Sequence, residues 1–354
     1  MPPNTECNIQ DVTGVLEETD REVEERDIKE VHKTNKFPEL PIIWFNVFLH
    51  AVSHSIGLYG LYVLFTSAKW WSVALFLVNY EFATLGTTAG IHRLWSHRSY
   101  KARWPLTLFL TYCQTLAFQY SIIYWATYHR VHHKYTETDA DPHNAKRGFF
   151  HSHMGWTIRE RSPEFISRAK EADMSDLYNN TIVRIQDEYY YSILIVVFFI
   201  MPTVMPMYLW NETFVNAFSL NILRYLVNLH RFFFVNSAAH KMGYKPYRKD
   251  IYASDFMLAS ILMQGDAWHN YHHTFPWDYK TSEHGTYGTN VTTGFIDLMA
   301  KIGWAYDLKT ASPEMIKRRV LKSGDGSHHL WGWGDKDQSK QERSEAIILN
   351  KKDN

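Results

Sequence analysis

WSVALFLVNYEFATLGTTAGI (Trp71–Ile91) runs straight into HRLWSH (His92–His97), so an apolar stretch ends on two histidines. A helix needs about 20 predominantly apolar residues to cross the hydrocarbon core of a bilayer, and this stretch has that length. Immediately before it lies a second such stretch, PIIWFNVFLHAVSHSIGLYGLYVLFT (Pro41–Thr66), separated only by SAKW. A connection so short makes the two a helical hairpin. The pattern repeats further on: YSILIVVFFIMPTVMPMYL (Tyr191–Leu209) and Phe214–Val235 are joined by WNET. LTLFLTYCQTLAF (Leu106–Phe118) is apolar but short, and predicts a buried or re-entrant helix rather than a fifth span. The expected fold is therefore an all-α membrane protein with four transmembrane helices in two hairpins.

Orientation follows from the cations. Lys and Arg are concentrated between Arg93 and Arg184 and again after His240, whereas SAKW and WNET together hold one lysine. By the positive-inside rule both large sections are cytoplasmic, both termini with them, and the short turns face the lumen. Two hairpins return the chain to the same side each time, so all the histidine-rich segments reach one membrane face. The segment 1–37, with runs such as EETDREVEERD, is too polar to bury a core and predicts a disordered cytoplasmic tail. It also lacks the pattern of a cleaved signal. Residues 322–354 predict a polar C-terminal tail.

Composition narrows the chemistry. The 354 residues include 19 histidines, only 2 cysteines and 16% aromatic residues, with a formal net charge of zero. Two distant cysteines exclude a disulfide framework or a cysteine-rich zinc module. A chain without basic surplus has no excess charge to neutralise phosphates, which argues against nucleic acid as a partner. Nitrogen ligands and interfacial aromatics suit a membrane metalloprotein.

The histidines fall into clusters: His92 and His97 in HRLWSH; His129, His132 and His133 in HRVHH; His240 in NSAAH; and His269, His272 and His273 in HNYHH. Residues three and four apart share a helix face, so each HxxHH can aim its imidazoles together. Imidazole suits iron, copper, nickel and zinc alike. Nine of them exceed the four ligands of a structural zinc site, which implies two metals. His50 and His54, inside the first apolar stretch, predict packing against neighbouring helices. His143, His151, His153, His284, His328 and His329 carry no comparable pattern.

The stretches TAGIHRLWSHRSYKAR, HRVHHKYTETDADPHNAKRGFF, NSAAHKMGYKPY and HNYHHTFPWDY carry a resemblance to the membrane-bound acyl-CoA desaturases of the stearoyl-CoA desaturase type, in their insect form. The resemblance extends from about Pro38 to Leu321 and implies a desaturase domain over 38–321. It implies a cytoplasmic helical cap holding a di-iron site of two Fe2+ ions, with the nine histidines as direct ligands and Asn236 reaching one iron through a water. It further implies an endoplasmic reticulum enzyme that desaturates a fatty acyl-CoA with O2 and electrons from cytochrome b5 and its NADH-dependent reductase. Because a uniform chain offers nothing to hydrogen-bond, the bond attacked must be selected by a tunnel. By resemblance Trp125 lines its bend, and Tyr80 and Thr84 its closed end.

The chain also departs from that pattern. Thr127 and Tyr128 stand where relatives have an Arg-Asp pair, Tyr120 stands for an Asn, and Asp187 and Glu188 replace a basic pair, all in neighbourhoods that touch the coenzyme A head group. At the bend, Phe232 and Phe233 replace Thr-Trp, next to His230 and Arg231. Glu81 and Phe232 are expected to reshape the tunnel and move the double bond away from the common Δ9 position, the alternative being compensated packing with no change of product. Two rival readings share the metal residues: an acyl hydroxylase, acetylenase or conjugase, and a silent metal-binding membrane protein.

Overall fold

A computed structural model describes residues 37–283, 287–328, 340–347 and 349. The tail expected over 1–37 lies almost wholly outside the described residues, as does much of 322–354. The described residues are mostly helical. Six helices organise them: α1 (Trp44–Thr66), α2 (Trp70–Leu85), α3 (Trp104–Ala117), α4 (Ile122–Lys134), α5 (Tyr190–Trp210) and α6 (Phe214–Ser237). A two-residue antiparallel ladder, Lys101–Ala102 against Ala305–Tyr306, closes the segment after α2 onto the C-terminal part.

By length and composition α1 and α5 are apolar enough to cross a membrane, and α3 with α4 would make a third candidate if counted as one broken span. The other two expected spans are helical where the sequence predicted but do not pass that test. In α6 the reason is its inward face. Asn221 donates to the Phe198 carbonyl, Arg224 to the Leu116 carbonyl and Asn228 to Thr84, so polar groups in this helix are bonded inside the protein. Polar groups at such depth are tolerated when partnered by neighbouring helices. In α2 the regular helix stops at Leu85 because the chain continues, without a break, as a π-helix over Gly86–Ser96.

The hairpins are fastened to each other. Glu212 of the WNET turn accepts from the Lys69 backbone N–H at 3.0 Å and from the Ser72 hydroxyl at 2.6 Å, and Lys69 Nζ donates to the Trp210 and Asn211 carbonyls. The two short turns therefore lie side by side. Lengthwise, α1 packs on α6 where Gly60 meets Ser219: a Cβ there would sit 2.3 Å from the Ser219 carbonyl oxygen.

Between α3 and α4 the chain turns by 81°. Phe118 and Tyr120 take left-handed backbone conformations, with φ of 54° and 65°. Such conformations are unfavourable for residues with a Cβ and persist only when fixed by their surroundings. Gln114 Nε2 fixes this one by donating to the Tyr120 carbonyl at 2.7 Å, and Ser121 then caps α4 by accepting from the Tyr124 N–H. The short apolar stretch thus bends sharply into α4, which packs against the continuation of α2.

The start of the π-helix is wedged against α3, since a Cβ on Gly86 would lie 2.3 Å from the carbonyl carbon of Cys113 and from the Gln114 nitrogen. Backbone cannot yield as a side chain does. Gly86→Val should lower stability by about 1–3 kcal/mol or more, read as a fall in the thermal unfolding midpoint of detergent-solubilised protein, with Gly303→Val, which meets nothing within 4 Å though its φ is positive, losing less.

Candidate metal centre

The π-helix explains a spacing that an α-helix would not. His92 and His97 are five apart, and the backbone N–H of His97 bonds the His92 carbonyl at 3.2 Å, the i to i+5 bond of this geometry. Residues five apart are thereby stacked on one face, and the two rings lie 4.9 Å apart, edge to face. Widened helical turns of this kind occur mostly at functional sites.

Each HxxHH motif divides between two groups. His129 and His133 of α4 join His92 and His97, together with His272; His132 joins His240, His269 and His273. In both motifs the i and i+4 residues thus go to one group and the i+3 residue to the other. Within each group the ligand nitrogens lie within 4.8 Å of one another. Facing Nε2 atoms are 2.8 Å apart for His97 and His129, 2.9 Å for His92 and His272, 3.0 Å for His272 and His133, 2.9 Å for His269 and His240, and 3.1 Å for His273 and His269. Two nitrogens each about 2.1 Å from a shared ion and at right angles are roughly 3 Å apart, so the separations fit ligation. The groups adjoin through the stacked rings of His133 and His273, 4.2 Å apart.

Protonation is consistent with this role. Burial, then the neighbouring imidazoles, hold His97, His129, His133, His269, His272 and His273 well below the ordinary histidine value. His240 is also lowered, chiefly by burial, against the opposing effect of the Glu137 carboxylate that faces its Nδ1 and accepts from it. Neutral imidazole is the metal-binding form. Asn236 is buried, its Nδ2 has no hydrogen-bond partner among the described residues, and it lines the same cavity as His132 and His269.

Carboxylates missed in the sequence hold the imidazoles from behind. Asp141 Oδ1 lies 2.9 Å from His132 Nδ1 and also faces His143, Glu137 lies 3.4 Å from His240 Nδ1, and Asp266 lies 3.2 Å from His92 Nδ1. Asp266 in turn receives the fully buried Arg93 guanidinium at 2.7 Å. Burial alone would raise both Asp141 and Asp266; facing imidazoles, and for Asp266 also Arg93, hold them below the usual carboxylate range. Glu137, Asp141 and His143 all lie in TETDADPHN, where acidic residues close behind HRVHH were the available signal. His143 makes a third group with His132 and Asp141.

Beside the first and second groups lies a narrow cavity, with His92, His129, His132 and His269 on one side and Thr87, Thr88 and α6 on the other. A second, lined by Tyr120, Tyr124, Trp125, Tyr128 and Trp156, shares His129 and Phe232 with it. Phe232 therefore stands between the two, 5.4 Å from the Trp125 ring, which stacks on His129. Trp125, assigned to the bend by resemblance, lines the second of these cavities, as do Tyr120 and Tyr128 from the neighbourhood expected to touch coenzyme A, and Phe232 lines both. Tyr80 and Thr84 lie behind the first one, bonded to Asn228. Phe233 does not line either; it is buried on the other face of α6 against Trp156, His153 and His230. Asp187 does not form an open acidic patch, because it accepts from the Ser121 hydroxyl at the start of α4. Glu81 is bonded by Gln264 at 2.7 Å. His50 and His54 pack as expected, against Thr157 and His230, while His284 and His329 lie outside the described residues.

Apolar helices that end on two adjoining sets of buried imidazoles, each backed by carboxylates, define a helical protein built to hold metal beside an apolar pocket. The chain belongs to the fatty acid desaturase family, described as "Fatty acid desaturase", whose profile matches residues 68–280. It is 50% identical to an "Acyl-CoA Delta-9 desaturase" of Acheta domesticus over 88% of this chain and 87% of that one. It is 48% identical to an "Acyl-CoA Delta(11) desaturase" of Choristoneura rosaceana over 90% and 94%, and 46% identical to "Stearoyl-CoA desaturase 2" of Mus musculus over 82% and 81%.

Outer carboxylates orient metal-binding histidines, and their loss typically lowers metal affinity about 10–100-fold. Asp141→Asn should therefore lose metal to a chelator at correspondingly lower concentration than the unaltered protein, measured by elemental analysis after dialysis.

Proposed function

We propose that this chain is a fatty acyl-CoA desaturase in which two iron ions are held by His92, His97, His129, His133 and His272 on one side and by His132, His240, His269 and His273 on the other. The observation that supports it most is the convergence of the two imidazole sets on a cavity walled by α2 and α6. The relatives named above as acyl-CoA desaturases support the substrate class. Asn236 would meet the second ion through a water.

The overall reaction converts two adjacent methylenes, O2, two electrons and two protons into an alkene and two waters. Bound iron supplies the oxygen-dependent oxidation that removes hydrogen from an unactivated chain, which no side chain can perform. The chain's own residues do the rest. Neutral imidazoles supply the ligand nitrogens, and Asp141, Glu137 and Asp266 fix the ring orientations. Trp125, stacked on His129, and Phe232 bracket the passage between the two cavities and so select which methylenes stand beside the histidines. Relatives named for Δ9 and Δ11 positions indicate that one scaffold can serve different bonds through such walls.

The desaturase domain is taken as residues 38–321, with α1, α2, α5 and α6 as four membrane helices. The Glu212 clasp between their turns supports placing both turns on the lumenal side, and the histidine sites on the cytoplasmic side of the endoplasmic reticulum membrane. Electrons then come from cytochrome b5 and its NADH-dependent reductase.

Expression in a yeast lacking its own desaturase should restore growth without unsaturated fatty acid supplement and yield a defined double-bond position by mass spectrometry of derivatised lipids. Purified protein should carry about two iron atoms per chain; zinc in their place, with no oxygen-dependent product, would refute the enzyme reading. Phe232→Thr, which opens the wall between the cavities, should redistribute the double-bond position or chain length. An unchanged product profile would remove Phe232 from the selection of the bond.

A further inference from the structure

The cavity beside the histidines is not walled by hydrocarbon alone. On its α6 side it is lined by Asn228, Arg231, Phe232 and Val235, and Arg231 brings a guanidinium to a space expected to receive an acyl tail. Arg231 Nη1 donates to Thr84 Oγ1 at 2.6 Å, and Asn228 Nδ2 donates to the same oxygen at 3.0 Å. The guanidinium also sits over the Tyr80 ring, 5.8 Å from its centroid. This triad fixes the side chain. Its Nη2 is nevertheless shut off from solvent and has no hydrogen-bond partner among the described residues. The acid nearest in sequence to Tyr80, Glu81, is engaged by Gln264 instead.

Arg231 is half-buried, but its enclosed Nη2 has given up water without gaining a partner among the described residues, which is unfavourable unless something accepts from it. A methyl-ended chain would enclose the group further and satisfy nothing. A chain ending in oxygen would accept from Nη2, and a charged donor makes such a bond stronger than a neutral one. We propose that Arg231, held by Thr84 and flanked by Asn228, is a seat for the far end of the substrate, and that the acyl chain it favours carries an acceptor oxygen, a hydroxyl or carboxylate, at its ω end. The proposal rests on the reading above that this cavity takes the acyl chain.

The test is competition binding on the full-length, iron-loaded protein in lipid nanodiscs, with palmitoyl-CoA, ω-hydroxypalmitoyl-CoA and the ω-carboxy analogue displacing one labelled acyl-CoA. A hydrogen bond to a charged group should favour at least one oxygenated chain by about tenfold or more. Preference for the carboxylate arm would mark charge pairing, and preference for the hydroxyl arm hydrogen bonding alone. Arg231→Met should abolish the preference, and Arg231→Lys should keep part of it. Equal affinities for all three chains in the unaltered protein, or a preference unchanged in Arg231→Met, would overturn the seat. The comparison of ligands on the unaltered protein decides the matter even where Arg231→Met does not fold. Val235→Trp, which fills the cavity, separates the two levels. Weakened binding of every chain in Val235→Trp, together with no ω preference in the unaltered protein, would leave the acyl cavity standing and remove only the seat, whereas undiminished binding in Val235→Trp would remove the cavity reading and the seat with it.

Discussion

Nine imidazoles face one another in the interior, and much of the arrangement around them serves to hold them there. Facing Nε2 atoms about 3 Å apart can hold at most one proton between them, and where none is shared the two lone pairs repel unless a cation stands between them. The rings must therefore be held by force from outside. That force comes from Asp141, Glu137 and Asp266, and Asp266 is in turn held by Arg93, which is buried completely and also donates to the Tyr279 carbonyl and Thr293. A single ion pair thus joins the end of α2, the segment before HNYHH and the C-terminal part of the chain.

The apolar helices serve a second purpose beyond their length. Helix α6 presents amides and guanidinium groups inward and bonds them to α2, α3 and α5, so its polar content knits the helices together where lipid offers no hydrophobic drive between them. The same inward face supplies Asn236, Phe232 and Arg231 to the cavity. Packing and substrate selection are consequently written into one helix, at neighbouring positions.

Much of this was legible in the sequence. Bilayer thickness fixes the length of a spanning helix, so the four helical stretches and the short one between them could be located without knowing any contact. The histidine clusters are distinctive enough in sequence that all nine imidazoles the structure brings into the two groups could be singled out. What could not be read was phase and partition. His92 and His97 share a face only because the helix widens at Gly86; no propensity signals that. The division of each HxxHH between two groups depends on how α4 and the 269–274 helix cross. Phe232 and Phe233 are adjacent aromatics, so the sequence could not say which one faces the cavity, and the packing of Phe233 against Trp156 decides it. Asp141, Glu137 and Asp266 escaped because acidic residues are common, and only proximity to a ring nitrogen marks these three.

The π-helical stretch has a further meaning for how this sequence can change. An ordinary helix advances about 100° per residue, so if this stretch relaxed to regular geometry with all its residues in place, His92 and His97, five apart, would point about 140° away from each other and no longer share a face. The gain in backbone regularity would dismantle one centre without altering a single histidine. Over these eleven residues, the pitch of the backbone is constrained as tightly as the identity of the side chains, and backbone geometry itself acts as a coordinating element.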